Sequence, residues 1–264
     1  MRNSIIFLFS ILLLGCSSTS DSRTQFKFLD NATLAGQSAE AFSKMKQEIP
    51  IAGPRPTQYV QCVADALTPL VSAETFTGEW EVVVFDSEQI NAFAMPGGKI
   101  GIFTGILAVT ETPDQLAAII GHEIAHVIKE HANERASQKM LAKGASIIGK
   151  VLMDLNNVDA GTQNLAMNGI GLLSQYGVLM PYSRLHESEA DIAGLELLVQ
   201  AGYSPYAAVE LWQNMDQASA GKTKPPEILS THPSADTRIK DLKNAIKSAV
   251  KKHPVPNKAP NCRM

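Results

Sequence analysis

The chain has 264 residues, of which 45% are hydrophobic and 19% are charged, with 18 Gly, 14 Pro and 3 Cys. This composition is that of an ordinary globular protein, and it excludes a collagen, a low-complexity disordered chain and a small disulfide-rich scaffold. The formal net charge of −3 leaves no basic excess for nucleic-acid binding, and we interpret the lysine-rich stretch 240–252 as the solvated face of a helix rather than a phosphate-binding patch.

The first residues have the pattern of a secretory signal. A short positive start precedes an apolar run over 5–14, which is too short to span a bilayer as a helix. The run ends in Leu-Leu-Gly-Cys at 13–16, which resembles the bacterial lipobox, where the signal peptide is cut off before a cysteine that becomes diacylated. The resemblance implies a signal peptide over 1–15, lipidation of Cys16 and, with Ser17 next, sorting to the outer membrane. A buried cysteine that ends an apolar run by chance is the alternative.

The rest of the chain divides into a tether, a domain and a tail. The sequence predicts a lipidated cysteine and polar tether over 16–38, a folded domain over 39–255 and a C-terminal tail over 256–264. An exported chain enters an oxidising compartment, so Cys62 and Cys262 are expected to form a disulfide, with two unpaired thiols as the alternative.

The first predicted elements of the domain are a helix, a strand and a hairpin. Apolar residues at helical spacing predict a helix over 57–72. A β-branched and aromatic run over 80–85 predicts a strand. Pro-Gly-Gly at 96–98 lies between two apolar runs and predicts the turn of a hairpin.

The next element, a helix over 113–139, has the clearest start signal. Thr112 stands at its N-cap, Pro113 at its first position and Gln115 at its third, which together form a capping box. The helical segments predicted after it are 141–180 (one or two broken helices), 184–201 and a last one from about Ser234. These elements predict an α+β fold in which helices surround a small, mainly antiparallel sheet.

The capped helix contains an HExxH motif, formed by His122, Glu123 and His126. The two histidines lie one turn and about 40° apart on the same face of the helix. Two imidazoles so placed are a natural pair of zinc ligands, and the glutamate between them can reach a water on the metal. Small residues that allow another segment to approach this face closely are Ala118, Gly121 and Ala125. The alternative is a helix with two surface histidines.

A second motif places Glu187 and Asp191 four residues apart on one face of a predicted helix. A catalytic zinc needs a third protein ligand and keeps its fourth position for water. Glu187 can ligate, and Asp191 can accept the free N–H of a ligating imidazole. By spacing alone an acidic solvent face stays open, because Glu189 and Glu196 lie nearby.

The motifs together resemble a known family. HExxH at 122–126 is followed by ExxxD at 187–191, preceded by Asn-Ala-Phe-Ala at 91–94, and followed by His232-Pro233 and, a few residues on, an arginine. This order resembles the bacterial HtpX, BepA and LoiP zinc metallopeptidases and their mitochondrial relatives, over roughly residues 40–250. The chain differs from HtpX in lacking membrane-spanning segments around this domain, and from BepA in leaving no room for helical repeats. In plan it is closest to the LoiP lipoproteins.

The resemblance implies a function for each motif. It implies one zinc ion per chain, a catalytic base at Glu123 and an orienting carboxylate at Asp191. The implied zinc ligands are His122, His126 and Glu187. His232 is interpreted as a transition-state donor or as a fourth, gating ligand, with a surface loop histidine as the alternative. The implied substrate-binding strand is Asn91, Ala92, Phe93 and Ala94.

The expected protein is thus a zinc endopeptidase of the cell envelope that degrades misfolded or unassembled envelope proteins. The resemblance and the lipobox place it on the outer membrane, facing the periplasm, held by the N-terminal lipid. Two other functions remain open: a chaperone or assembly factor for outer-membrane proteins with little proteolysis, and a latent zinc-binding lipoprotein in which His232 blocks the water site.

Overall fold

The computed structural model describes residues 16–18, 23–73, 75–172, 180–220, 226–232, 236–253 and 260–264, of which 16–18, 169–172, 180–182 and 236 are described by their backbone alone. The predicted signal peptide and part of the predicted tail lie outside these ranges. The chain forms two compact units, one of residues 1–33 and 131–183 and one of residues 34–130 and 184–264. None of the described helices is long and apolar enough to cross a membrane.

The described elements confirm the α+β class. The strands are β1 (Cys16–Ser18), β2 (Thr24–Phe26), β3 (Glu81–Phe85), β4 (Ala92–Met95) and β5 (Lys99–Phe103). The helices are α1 (Asn31–Glu48), α2 (Pro54–Leu67), α3 (Pro113–Ile128), α4 (His131–Leu155), α5 (Ala160–Leu172), α6 (Met180–Gln200), α7 (Ala207–Ser219), α8 (Glu227–Thr231) and α9 (Asp236–Lys252). The helices predicted over 57–72 and 184–201 correspond to α2 and α6, and the strand predicted over 80–85 corresponds to β3.

The sheet of the larger unit has the order β3-β5-β4. The predicted hairpin joins β4 to β5, and its turn uses Gly97 and Gly98 at φ of 81° and 73°, a conformation that glycine adopts without a Cβ clash. β3 pairs in parallel with β5, so the sheet is mixed rather than mainly antiparallel. Because β5 takes the central position, β4 becomes an edge strand with one sheet partner among the described residues.

The core of this unit lies on both faces of the sheet. Apolar residues of α2, α3 and α6, such as Val60, Ile120 and Leu198, are fully buried in one cluster with β5. On the other face, Phe42 of α1 meets the ring of Phe85 edge-on, with 6.0 Å between ring centroids. The sheet is therefore held between α1 and the helices that carry the site.

The helix that carries HExxH is shorter than predicted. It ends at Ile128, not near residue 139, and α4 begins at His131. Glu130 between them has a φ of 52°, the left-handed conformation that interrupts a right-handed helix. This conformation usually belongs to glycine, and no glycine marks the break in the sequence. Residues 141–180 include most of α4 and all of α5, which agrees with the prediction of one or two helices there.

The predicted tether over 16–38 contains regular structure. β1 pairs antiparallel with β2, and α1 already begins at Asn31, before the expected start of the domain at Ala39. The Asp30 carboxylate accepts the backbone N–H of Thr33 at 2.7 Å and so caps α1. This Asp-x-x-Thr cap lies inside the polar stretch that predicts a tether, so composition alone does not reveal the helix.

The predicted disulfide between Cys62 and Cys262 is present. It joins α2 to the C-terminal residues across a sequence separation of 200, and Cys262 is buried in the core. In the chain-entropy treatment a loop of this length stabilises the folded state by about 5 kcal/mol.

Candidate active site

The start of α3 is fixed by the predicted cap. Thr112 Oγ1 accepts the backbone N–H of Gln115 at 3.3 Å, and Gln115 Oε1 accepts the backbone N–H of Glu111 at 2.8 Å. From this start, His122 and His126 come one turn apart on a helix whose residues from Gln115 to His126 are all buried. The alternative of two surface histidines is therefore wrong.

The segment that approaches the small-residue face of α3 is α6, and the contact is made by two glycines. A Cβ on Gly121 would lie 3.2 Å from the Gly194 carbonyl oxygen, and a Cβ on Gly194 would lie 2.9 Å from the backbone nitrogen of His122. The approach predicted at Gly121 is thus observed, whereas Gly194 was not identified from the sequence. Because Asp191 and Glu187 lie one and two turns before Gly194, the crossing brings both carboxylates to the histidines.

Four buried side chains converge at this crossing: His122, His126, Glu187 and His232. The Nε2 atom of His122 lies 3.1 Å from Nε2 of His126 and 3.2 Å from Oε2 of Glu187. His126 Nε2 lies 3.4 Å from Glu187 Oε1. His232 Nδ1 lies 3.0 Å from Glu187 Oε2 and 3.3 Å from His122 Nε2.

These separations fit a zinc ion. Tetrahedral zinc with bonds of about 2.0–2.1 Å to nitrogen and oxygen has ligand atoms about 3.3 Å apart. The nitrogen and carboxylate donors of the cluster are also the types that zinc prefers. His232 would supply a fourth protein donor to such an ion, so the donor set is that of a closed site.

His232 owes its position to α8. It is the residue that caps the C-terminal end of this helix, and its backbone N–H donates to Ile228 O at 2.7 Å. The backbone N–H of Ile228 in turn donates to Ile90 O at 3.2 Å, which ties α8 to the segment before β4. The surface-loop alternative is wrong, because His232 is buried.

Asp191 lies behind the cluster. Its Oδ1 is 3.1 Å from Nδ1 of His122, the ring atom turned away from the other donors. Arg238 of α9 donates to both oxygens of Asp191, at 2.7 and 2.6 Å, and its guanidinium lies 3.8 Å from the ring centroid of Trp212. The sequence drew attention to an arginine after His232 but not to its partner, and nothing marked Trp212, because these contacts join residues far apart in the chain.

The electrostatics of the cluster favour a bound positive charge. Burial disfavours a charged His122, but hydrogen bonds to Asp191 and Glu187 overcome this effect and raise its pKa to about 9. Burial likewise opposes ionisation of Glu187, yet hydrogen bonds from the three histidines hold its pKa far below the usual range. The same carboxylates that favour a proton on His122 favour a bound cation, and a cation that binds here displaces that proton.

Glu123 lies between the cluster and the edge strand. Its Oε2 accepts the backbone N–H of Ala94 at 3.0 Å, and its Oε1 lies 3.3 Å from Nε2 of His232. Of the predicted strand 91–94, Ala94 therefore touches the site directly, whereas the Phe93 ring packs on the opposite face of the sheet. Asn91 Oδ1 is buried and has no hydrogen-bond partner among the described residues.

Comparison with known proteins bears on the same region. A family model described as "Peptidase family M48" matches residues 54–246. The mitochondrial metalloendopeptidase OMA1 of Schizosaccharomyces pombe is 34% identical over 171 residues, which cover 65% of this chain and 48% of that protein. The human metalloendopeptidase OMA1 is 36% identical over 177 residues, 65% of this chain and 33% of that protein.

A bacterial relative is similar over a longer stretch. The beta-barrel assembly-enhancing protease of Yersinia pestis is 30% identical over 201 residues, which cover 75% of this chain and 40% of that protein. The matched part thus spans half or less of the length of each of these relatives. The family match includes every residue of the buried cluster, from His122 to His232.

Proposed function

This chain belongs to peptidase family M48, and from that premise we propose that it is a zinc metalloendopeptidase that acts in protein quality control. One observation carries the proposal: four buried donor atoms at tetrahedral spacing, with the Glu123 carboxylate beside them. His122, His126 and Glu187 are the proposed ligands, with Asp191 orienting His122.

Bound zinc would polarise a scissile carbonyl and make a water more acidic. The chain's own groups do the rest. Glu123 takes a proton from the attacking water and later gives it to the leaving amine. The Ala94 N–H holds the Glu123 carboxylate in place through Oε2, so that Oε1 remains for the proton.

His232 is proposed as a gate. Its Nδ1 completes the donor set, so it must move away before a water and a substrate carbonyl can take its place. This closed arrangement is also the observation that favours the second candidate function, a latent zinc-binding protein. The transition-state donor role, the other interpretation from the sequence, would require the displaced His232 to reach the developing oxyanion.

The proposed substrates are unfolded or misfolded envelope proteins. The edge of β4 lies next to Glu123, and an extended chain can add to such an edge by backbone hydrogen bonds, which a folded protein does not offer. The name of the bacterial relative, a beta-barrel assembly-enhancing protease, refers to protein assembly and is consistent with this proposal. Lipidation of Cys16 and outer-membrane location are part of the proposal and rest on the lipobox alone.

The first experiment compares the form of residues 17–264 with its Glu123→Gln variant. Both are assayed for bound zinc and for cleavage of a permanently unfolded test protein. Zinc in both and cleavage by the parent alone is the expected result, with a loss of about 100-fold or more in the variant. Equal cleavage by the two would contradict the role of Glu123.

Three further outcomes separate the candidate functions. Zinc without cleavage in both forms, with activity appearing in His232→Ala, favours the latent protein. Binding of unfolded chains by Glu123→Gln with its cellular role preserved favours a chaperone or assembly factor. Cleavage of a native protein as fast as of its unfolded form would contradict the proposed substrate class.

A further inference from the structure

Large apolar side chains lie along the outside of α4. Six of them are 46–73% exposed: Leu141, Ile147, Ile148, Val151, Leu152 and Leu155. At 3.6 residues per turn they occupy one side of the helix, within an arc of about 140°. We call this side the apolar face of α4. Contiguous exposed apolar side chains on a soluble protein mark a surface that something else covers.

The opposite side of the same helix is basic. Lys139, Lys143 and Lys150 lie about 110–150° around the helix from the centre of the apolar face, outside its arc, and are exposed. With Asp154 they give residues 139–155 a net charge of 3 − 1 = +2, although the whole chain carries −3. An apolar side opposed by lysines is the pattern of a helix that lies in the interface of an anionic membrane.

The N-terminal segment is attached to the start of this helix. The Arg23 guanidinium donates to both carboxylate oxygens of Glu134, at 2.8 Å each, and the backbone N–H of Phe28 donates to Ser137 Oγ at 3.1 Å. Asn133 Nδ2 donates to the Leu29 carbonyl oxygen at 2.8 Å. Residues 23–29 therefore run along the first turns of α4 and do not act as a free tether.

The proposed lipid-bearing residue lies beside this segment. The backbone of Cys16 pairs with that of Phe26, whose N–H lies 3.4 Å from Glu134 Oε1. Paired strands are about 4.8 Å apart, so the backbone of Cys16 lies close to the beginning of α4. Beyond Ser137 the helix continues to Leu155, a length of about 27 Å.

We propose that α4 lies in the surface of the membrane that holds the lipidated chain, with its apolar face among the acyl chains and its lysines near the headgroups. The choice of a membrane as the partner rests on the proposed lipidation of Cys16. The affinity of the apolar face for lipid does not depend on that lipidation. The lipid then supplies one attachment to the membrane and the apolar face of α4 supplies a second.

The first test uses the form of residues 17–264, which has no lipid and keeps every described side chain. Flotation is measured with vesicles of phosphatidylethanolamine containing about one quarter phosphatidylglycerol, as an anionic surface. The parent is expected to bind, and Ile148→Asn/Leu152→Asn to bind at least about tenfold more weakly. The control Ile51→Asn/Val250→Asn changes two exposed apolar residues of the other unit and should bind like the parent.

No binding by the parent, or equal binding by all three forms, overturns the proposal. Replacing Lys139, Lys143 and Lys150 by Gln should weaken binding to the anionic vesicles and remove most of its salt dependence. Sedimentation tests whether a second copy of the chain covers the apolar face instead. The result that would overturn the proposal is a dimer that does not bind vesicles and that Ile148→Asn/Leu152→Asn dissociates.

The full lipidated chain gives an independent measurement. An environment-sensitive dye is attached at Ile148→Cys or, as control, at Val250→Cys, and the protein is reconstituted in the same vesicles. A blue shift at residue 148 and none at 250 is expected, and equal spectra would overturn the proposal. Cleavage of the unfolded test protein is scored separately, because Glu123→Gln should abolish cleavage and leave vesicle binding unchanged.

Discussion

Two consecutive helices of this protein, α3 and α4, place their side chains in opposite ways. In α3 every residue from Gln115 to His126 is buried, and the polar ones among the last five form part of the site. In α4 the buried residues end at Gln138, and the large apolar residues beyond it are mostly exposed. Both helices have a clear apolar periodicity. The periodicity therefore predicts a helix, but it does not predict which surface packs against the apolar side of that helix. In α3 the cover is the rest of the unit; in α4 we propose that it is lipid.

The largest expected effect tests how α3 depends on its partners. Arg238→Gln leaves the Asp191 carboxylate buried without its guanidinium, and removing one partner of a buried pair costs about 3–5 kcal/mol of unfolding free energy. Zinc affinity should fall by about 10–100-fold, because the orientation of His122 depends on Asp191. Denaturation and a competitive zinc titration measure the two effects.

The control for that change is Lys252→Gln. Lys252 forms an ion pair with Glu196 at 2.8 Å on the surface, and such pairs contribute about 0–1 kcal/mol. A loss in Arg238→Gln no larger than in this control would contradict the structural role given to Arg238.

Truncation of one isoleucine in each helix tests the comparison directly. Ile124→Ala removes a fully buried side chain from α3 and should cost about 2–5 kcal/mol. Ile148→Ala removes one that is 63% exposed on α4 and should change the free energy of unfolding in detergent-free buffer by about 0.5 kcal/mol or less. Chemical denaturation of both variants decides the point, and similar losses would show that α4 is covered by protein.

A glycine in each helix environment gives smaller effects, and these have opposite signs. Gly194→Ala would place a Cβ 2.9 Å from the backbone of α3, so it should destabilise by about 1–3 kcal/mol and weaken zinc binding. Gly144→Ala on α4 meets nothing within 4 Å and should stabilise by about 0.5–1 kcal/mol, because alanine restricts the unfolded chain. Thermal unfolding of the pair should give shifts of opposite sign.

The sequence predicted the features that depend on local chemistry. The cap at Thr112, the spacing of His122 and His126, and the need for small residues on one side of α3 are all visible within one helix. The likeness of the motifs to a known family, rather than spacing, singled out Glu187 as a zinc ligand. The predicted end of α3 is wrong because Glu130 adopts a left-handed backbone conformation, which a glutamate in the sequence does not predict.

The residues that complete the site depend on contacts far along the chain. Gly194 matters because α6 crosses α3 there, and Arg238 matters because α9 brings it to Asp191. Neither relation leaves a periodic or compositional signal. The sequence also does not predict that the apolar face of α4 is exposed. An apolar stripe at helical spacing has the same sequence pattern whether it packs on a protein core or on a bilayer.

The bond between Cys62 and Cys262 has a consequence for what a single backbone cut does to this molecule. Every residue of the buried cluster lies inside the loop that this bond closes. A single cut within that loop leaves the two fragments covalently joined by the disulfide, whichever enzyme makes the cut. A nicked molecule would keep its mass on a non-reducing gel and separate into two bands only after reduction.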